Sequence, residues 1–211
     1  LNNLVFPGHE QHHNNSFLIA SLIMGQSNMA AGATVGSNHN SRGNDGEIIA
    51  GRGFWPGLSS TLKHNSHFAS YTLITRGNYP NELNIPLPFS MVVENPQDNH
   101  IEVMPAYYWM YNMYALERNS WKYQIRDKRI YKTQHIVIDY LAPDTAQEII
   151  KAIQLLEEWT GKAVILSLGE KIPKELEKIS SKGRTYLKNT PENAKPLTVI
   201  GENMEHSKRP V

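Results

Sequence analysis

Cysteine is absent from the 211 residues, which excludes disulfides, thiolate metal ligands and a cysteine nucleophile. An excess of either charge is missing as well. Lys+Arg 21 against Asp+Glu 20 leaves a net charge of +1. That excludes a general electrostatic grip on nucleic acid or an anionic membrane, and leaves room only for a local patch. No apolar run approaches the roughly 18 residues that span a bilayer. No basic segment followed by an apolar stretch opens the chain, so a cytoplasmic protein is expected. The chain starts on Leu1 and stops on Arg209-Pro210-Val211, and a piece of a longer polypeptide is expected. Phosphate loops, dinucleotide fingerprints and nucleophile elbows are missing too. Gly51-Arg52-Gly53 lacks the third glycine of a dinucleotide site.

What is present is a period. Phe17, Ile23, Met29 and Val35 are six apart, with Ser21, Ser27 and Ala33 four positions after the first three. Six fits neither an α-helix nor a lone alternating strand. It fits a chain that turns a corner every six residues and sends one side chain per face into a narrow core, the hexapeptide form of a parallel β-helix. The period breaks over residues 37–61, which hold Gly43, Gly46, Gly51, Gly53 and Gly57. It resumes with Leu62, Phe68 and Ile74. The expected organisation is a solenoid over 1–90 with a long inserted loop at 37–61, then a helical extension over 91–211. The fold class expected is mainly β with α additions. Little more than two coils are countable, so neighbouring copies or further coils must complete the core.

Beyond Tyr79 the prolines of 80–88 mark the expected end of the solenoid. Phe89–Glu94 reads as a strand. Pro105 opens a helix over 106–119. Ile136-Val137-Ile138 is ambiguous between strand and helix. Asp144 with Gln147 resembles a capping box, and Ile149, Ile150, Ile153 and Leu156 form a helical face that Gly161 would end. A second short helix is expected over 173–180.

Chemistry-bearing residues gather where the period breaks. His39 has a titration range suited to a general base, and Asp45 or Glu47 would orient it. Asn38, Asn40 and Arg42 would bind a polar or anionic group. The alternative is that Asn and His cap tight corners that need left-handed backbone. If the loop leaves from one corner, Asn40 and Leu62 lie close together, and His64 with Asn65 joins the same site. Arg52 and Trp55 complete the candidate substrate contacts, with sugar stacking on Trp55 or Trp109 as an added role. No metal site is assigned. His9, His12 and His13 are the candidate ligands, against the reading of a solvated polar segment.

Several stretches carry a family resemblance: Gly32-Ala33-Thr34-Val35-Gly36-Ser37-Asn38-His39-Asn40-Ser41-Arg42, Asp45-Gly46-Glu47-Ile48, and Gly51-Arg52-Gly53-Phe54-Trp55-Pro56-Gly57-Leu58. So do Lys63-His64-Asn65-Ser66, Leu83–Ser90, Met104–Tyr107 and Met110–Tyr123. Over roughly residues 4–160 the chain resembles DUF4954, a family of Bacteroidetes and related anaerobes. The resemblance implies a left-handed parallel β-helix related to sugar-nucleotide and sugar-phosphate acyltransferases. It further implies a homotrimer, with acetyl-CoA or another acyl donor along a groove between solenoids and a small-molecule sugar derivative as acceptor. His39 or His64 would be the base. The polar interruption of the period departs from the usual acyltransferase pattern. A non-catalytic trimeric module that binds a sugar nucleotide or serves as a scaffold is the alternative. No nucleic-acid or membrane partner is expected.

Overall fold

A computed structural model describes residues 3–11, 13–36, 46–95, 97, 100–189 and 197–204, together with the backbone of 205–206. The chain divides into two compact units, residues 1–148 with 205–211, and residues 149–204. The expected division fell at residue 90.

The first unit is a parallel β-solenoid whose turns each lay one strand on each of three faces. The strands are β1 (Asn3–Val5), β2 (Glu10–Gln11), β3 (Phe17–Leu18), β4 (Ser21–Ile23), β5 (Asn28–Met29) and β6 (Thr34–Val35). They continue as β7 (Ile48–Ala50), β8 (Trp55–Pro56), β9 (Ser60–Leu62), β10 (His67–Phe68), β11 (Leu73–Ile74) and β12 (Gly77–Tyr79). β13 (Glu82–Ile85), β14 (Met91–Asn95) and β15 (His100–Met104) complete the run. One face stacks β1-β4-β7-β10-β13, a second β3-β6-β9-β12, and the third β2-β5 and then β8-β11-β14-β15. Backbone bonds Asn28 N–H to Phe54 O (2.9 Å) and Ala30 N–H to Pro56 O (3.2 Å) join the two parts of the third face. Pairing is parallel except where β15 folds back on β14 and where a C-terminal strand, β16 (Glu205–His206), runs antiparallel to β13.

The six-residue period is the core. Ile23, Met29, Val35, Leu62 and Ile74 are fully buried and Phe68 nearly so. Phe17 departs from it. It is 42% exposed, because Leu18 rather than Phe17 stands in register with Val35. The turn from β3 to β4 is one residue shorter than the period, and Ala20 takes a φ of 47° to make it. The expected loop also resolves differently. Residues 48–62 form β7, β8 and β9, a whole turn in register with its neighbours. Ile23 pairs with Ala50, and Ala50, Pro56 and Leu62 carry the period through. Its inward positions there are a small residue and a proline, which carry little hydrophobic signal. The departure from an 18-residue turn is nine residues: Ser21 pairs with Ile48, 27 positions on, whereas Ile49 pairs with His67, 18 on. The prolines of 80–88 do not stop the solenoid, because Pro80 and Pro86 flank β13 instead of interrupting it.

One corner column repeats once per turn in left-handed backbone: Gly8 (φ 89°), Gln26 (61°), Gly53 (70°), Tyr71 (55°) and Phe89 (57°). Bulky residues rarely adopt this conformation, and each costs about 1–2 kcal/mol. Stacking offsets that cost. The Tyr71 and Phe89 rings lie parallel with centroids 4.9 Å apart. A Cβ on Gly53 would overlap the Tyr71 ring, so only glycine fits above it.

Helices α1 (Tyr107–Tyr111) and α2 (Met113–Arg126) follow, broken at Asn112, where one helix was expected. Asn112 leaves the helical backbone at φ −140° and ψ 33°. Tyr108 packs edge-on against Tyr71, and Trp109 sits 5.0 Å from Phe89 and 5.4 Å from Tyr140, so the aromatic run is packing for the corner column. Residues 136–138 form neither strand nor helix.

The second unit is a helical hairpin of α3 (Pro143–Ser167), whose first residues belong to the solenoid unit, and α4 (Leu176–Asn189). Asp144 lies inside the first turn of α3, where its carboxylate accepts from the Thr145 backbone N–H as well as from Arg52. The Thr145 hydroxyl accepts from Ala142 N–H at 2.9 Å. Gly161 does not end α3. It is the crossing point with α4, where a Cβ would overlap the Ile179 carbonyl, and Gly183 meets the Glu157 carbonyl in the same way. Arg184 closes the crossing with two bonds to Glu157, at 3.0 and 2.9 Å. Among the described residues no helix is long and apolar enough to cross a membrane.

A Gly161→Ala variant separates the two roles. In a helix interior the change gains about 1 kcal/mol of helix propensity. At this crossing it is expected to destabilise the hairpin instead, by about 2 kcal/mol from overpacking. Urea unfolding followed by far-ultraviolet circular dichroism reads the sign.

Candidate anion-binding cleft

The sequence-derived candidates part company in the structure. His39, Asn38, Asn40, Arg42 and Asp45 lie outside the described residues, as does His12. Gly46 and Asn65 meet at one corner, where a Cβ on Gly46 would stand 2.9 Å from Asn65 Oδ1. The expected approach of Asn40 to Leu62 falls outside the described residues. Glu47 is exposed at that corner, and Asn65 is an exposed residue at φ 64°, the left-handed capping position. His64 is fully buried beneath Gly36, where a Cβ would come within 2.8 Å of its Nε2. Trp55 is half-buried in β8.

Arg52 stands elsewhere, one residue before Gly53 of the corner column, with every guanidinium nitrogen engaged. Nε and Nη2 donate to Asp144 at 2.6 and 2.9 Å, and Nη1 donates to the Asp139 carbonyl at 2.8 Å. Burial alone would raise the Asp144 carboxyl, but Arg52 and the backbone amides of Thr145 and Asp144 together hold it below its usual value. Beside it Glu148 accepts the Ser70 amide at 2.9 Å, and burial pushes its carboxyl up. Tyr71 donates to Gln26 Oε1, and burial pushes its phenol up to about 12. Gln26 in turn donates to the Ile138 carbonyl at 2.7 Å, which also accepts from Ser120 of α2 at 2.8 Å. Arg52 thus fastens the 137–139 segment and the start of α3 to the solenoid.

A concave site lies where α2 ends beside the first two turns. It is a cleft of about 550 Å³. The tight corner at Pro7-Gly8 makes it possible. A Cβ on Gly8 would press on Gln26 N (3.0 Å) and on the Tyr123 ring of α2 (3.3 Å). The next residues, His9 and Glu10, form the solenoid wall. Lys122, Arg126, Lys128 and Arg129 reach the cleft from α2 and the turn after it, and among the described residues the carboxylates lining it are Glu10 and Asp127. Four cations against two carboxylates leave a local +2 on a chain whose total is +1.

The two carboxylates are engaged differently. Glu10 bonds Lys122 and takes Arg126 Nη1 at 3.3 Å. Asp127 receives Arg129 Nε and Nη2 at 2.8 and 2.9 Å and its backbone N–H at 3.2 Å. The Arg129 bonds hold the Asp127 carboxyl well below the usual carboxylate range. Among the described residues Lys128 forms no ion pair. His9 Nδ1 shares a hydrogen bond with Ser27 Oγ at 2.7 Å. Burial holds its imidazole below the usual value, and Gln11 and Glu10 offset only part of that. His9 is therefore neutral near pH 7. Among the described residues no group of three or more His, Asp or Glu is placed to hold a metal ion.

Sequence reading missed this cleft, although a signal exists. Residues 122–132 hold Lys122, Arg126, Lys128, Arg129 and Lys132, five cations in eleven positions. Its other wall is more than 110 residues away in the chain.

A three-faced parallel β-solenoid with added helices and a basic cleft at one corner defines the class of protein. The chain belongs to the family described as a domain of unknown function, DUF4954, whose model matches residues 5–160. It is similar to an uncharacterized protein of Treponema pallidum (strain Nichols), 56% identical over 209 residues. That match takes in 99% of this chain and 28% of the relative, so the chain spans little more than a quarter of the relative's length. No solved structure matches the chain.

The half-buried His9 sets a pH signature. Its folded-state pKa lies below the unfolded value of about 6.5. Above about pH 6.5 both states are neutral there and stability is fully present. As the pH falls through and below that value the unfolded chain takes the proton first, and stability is lost. A His9→Gln variant is expected to show a flatter stability profile than the parent between about pH 5 and 7. Urea midpoints across that range for both proteins measure the difference.

Proposed function

We propose that this domain binds a phosphorylated sugar or sugar nucleotide in the cleft between α2 and the first turns of the solenoid. The supporting observation is the excess of cations there. Arg126 spends one nitrogen on Glu10 and its side chain is 64% exposed, while Lys128 is exposed and unpaired among the described residues. Guanidinium and ammonium groups converging on one cleft suit phosphate oxygens, which take charge-assisted bonds of this kind. Tyr123 and Asn119 line the same cleft and suit a sugar or base beyond the phosphate.

Acyl transfer is the second reading, and His9 is what favours it. A neutral imidazole on the wall of the anion cleft is in the form a general base requires. It would accept the proton of an acceptor hydroxyl as that oxygen attacks a thioester carbon. The proton then passes to the departing thiolate.

Thermal shift over a panel of UDP- and GDP-sugars and sugar phosphates tests the binding reading. A rise in melting temperature is expected for the parent. An Arg126→Ala/Lys128→Ala variant is expected to lose affinity by about tenfold or more. No stabilisation by any phosphorylated compound would contradict the reading. Acetyl-CoA turnover with the same panel tests the second one: loss in His9→Gln supports it, and loss confined to His39→Ala or His64→Ala returns the base to the period break.

A further inference from the structure

We propose that Glu10 sets the charge selectivity of the cleft by occupying a cation fork that a second phosphate would otherwise take. This rests on the anion-binding reading above. Lys122 and Arg126 are four apart on α2, so they leave the helix on the same side. Both converge on the Glu10 carboxylate, which reaches them from the opposite wall on β2. A carboxylate and a phosphate present the same acceptor oxygens to such a pair.

The two cations are not held alike. The Lys122 side chain is 12% exposed and committed to Glu10, whereas Arg126 is 64% exposed and meets Glu10 through one nitrogen. An incoming phosphate therefore finds Arg126 and Lys128 available and Lys122 occupied. The cleft has one good phosphate position and a second that is filled from within.

Asp127 is the contrast. Its bonds to the Arg129 side chain and backbone close a local turn two residues long, so its carboxylate shapes the cleft rim. Glu10 comes from a different element, and without its charge Lys122 and Arg126 both turn to the cleft. Removing that charge raises the local balance from +2 to +3 and opens the second position. The gain falls chiefly on ligands with two adjacent phosphates.

Inorganic phosphate and inorganic pyrophosphate are the probes, titrated calorimetrically into the parent chain and Glu10→Gln. The variant is expected to bind pyrophosphate about tenfold more tightly and phosphate no more than about threefold more tightly. Glu10→Asp keeps the charge but withdraws it by one methylene, and an intermediate gain is expected. It carries the test if Glu10→Gln fails to fold, as read by circular dichroism. Pyrophosphate affinity that is unchanged or weaker in the folded variants, with the parent still binding, overturns the role of Glu10 and leaves the anion site standing. Absence of binding in all three proteins overturns both. Binding that appears only in the variants supports Glu10 as the internal occupant and overturns the anion site of the parent chain.

Discussion

Three backbone carbonyls, those of Val137, Ile138 and Asp139, have no strand or helix to satisfy them. The segment is half-buried to exposed, and side-chain donors take the place of the missing backbone partners. Gln26 answers at Val137 and Ile138, Ser120 answers at Ile138 as well, and Arg52 answers at Asp139. Gln26 is held in place by Tyr71, and Arg52 by Asp144. Each bond ties a different element, so the irregular segment becomes the junction of the solenoid corner, α2 and the start of α3. The cleft exists because α2 is fixed there. Its cations face Glu10 and His9 only while this network holds the helix against the corner column.

The corner column explains why the junction sits where it does. Five successive turns place a left-handed residue at the same corner, and glycine serves at two of them. Gln26, Tyr71 and Phe89 accept the strain and use the outward direction it gives their side chains. Tyr71 is the hinge of that arrangement. Its ring stacks on Phe89 and covers Gly53, the Arg52 guanidinium lies 5.9 Å above it, and its hydroxyl reaches Gln26. Strain of this kind persists only where its surroundings over-determine it.

The solenoid was legible in the sequence wherever the inward residue was large. Ile23, Met29, Val35, Leu62, Phe68 and Ile74 announced themselves, while Ala50 and Pro56 did not, and a full turn was hidden as a loop. Phe17 misled because its size outweighs that of Leu18, although register points Leu18 inward. Gly161 was read as a stop because glycine ends helices more often than it serves as a crossing point, and only the approach of Ile179 reveals the difference. Arg52 was read as a ligand contact because its type suits anions. Asp144, which takes it up, lies 92 residues on, and no local pattern links them. The cleft was missed for the same reason, despite five cations in the eleven positions from Lys122 to Lys132. Net charge near zero concealed a local excess, and the two walls come from opposite ends of the solenoid unit.

If the space between Glu10, Arg126 and Lys128 is an anion site, a crystal of the chain soaked with pyrophosphate shows density for the anion against Arg126 and Lys128, on the α2 side of the cleft. An empty cleft, with pyrophosphate bound elsewhere or not at all, would contradict it.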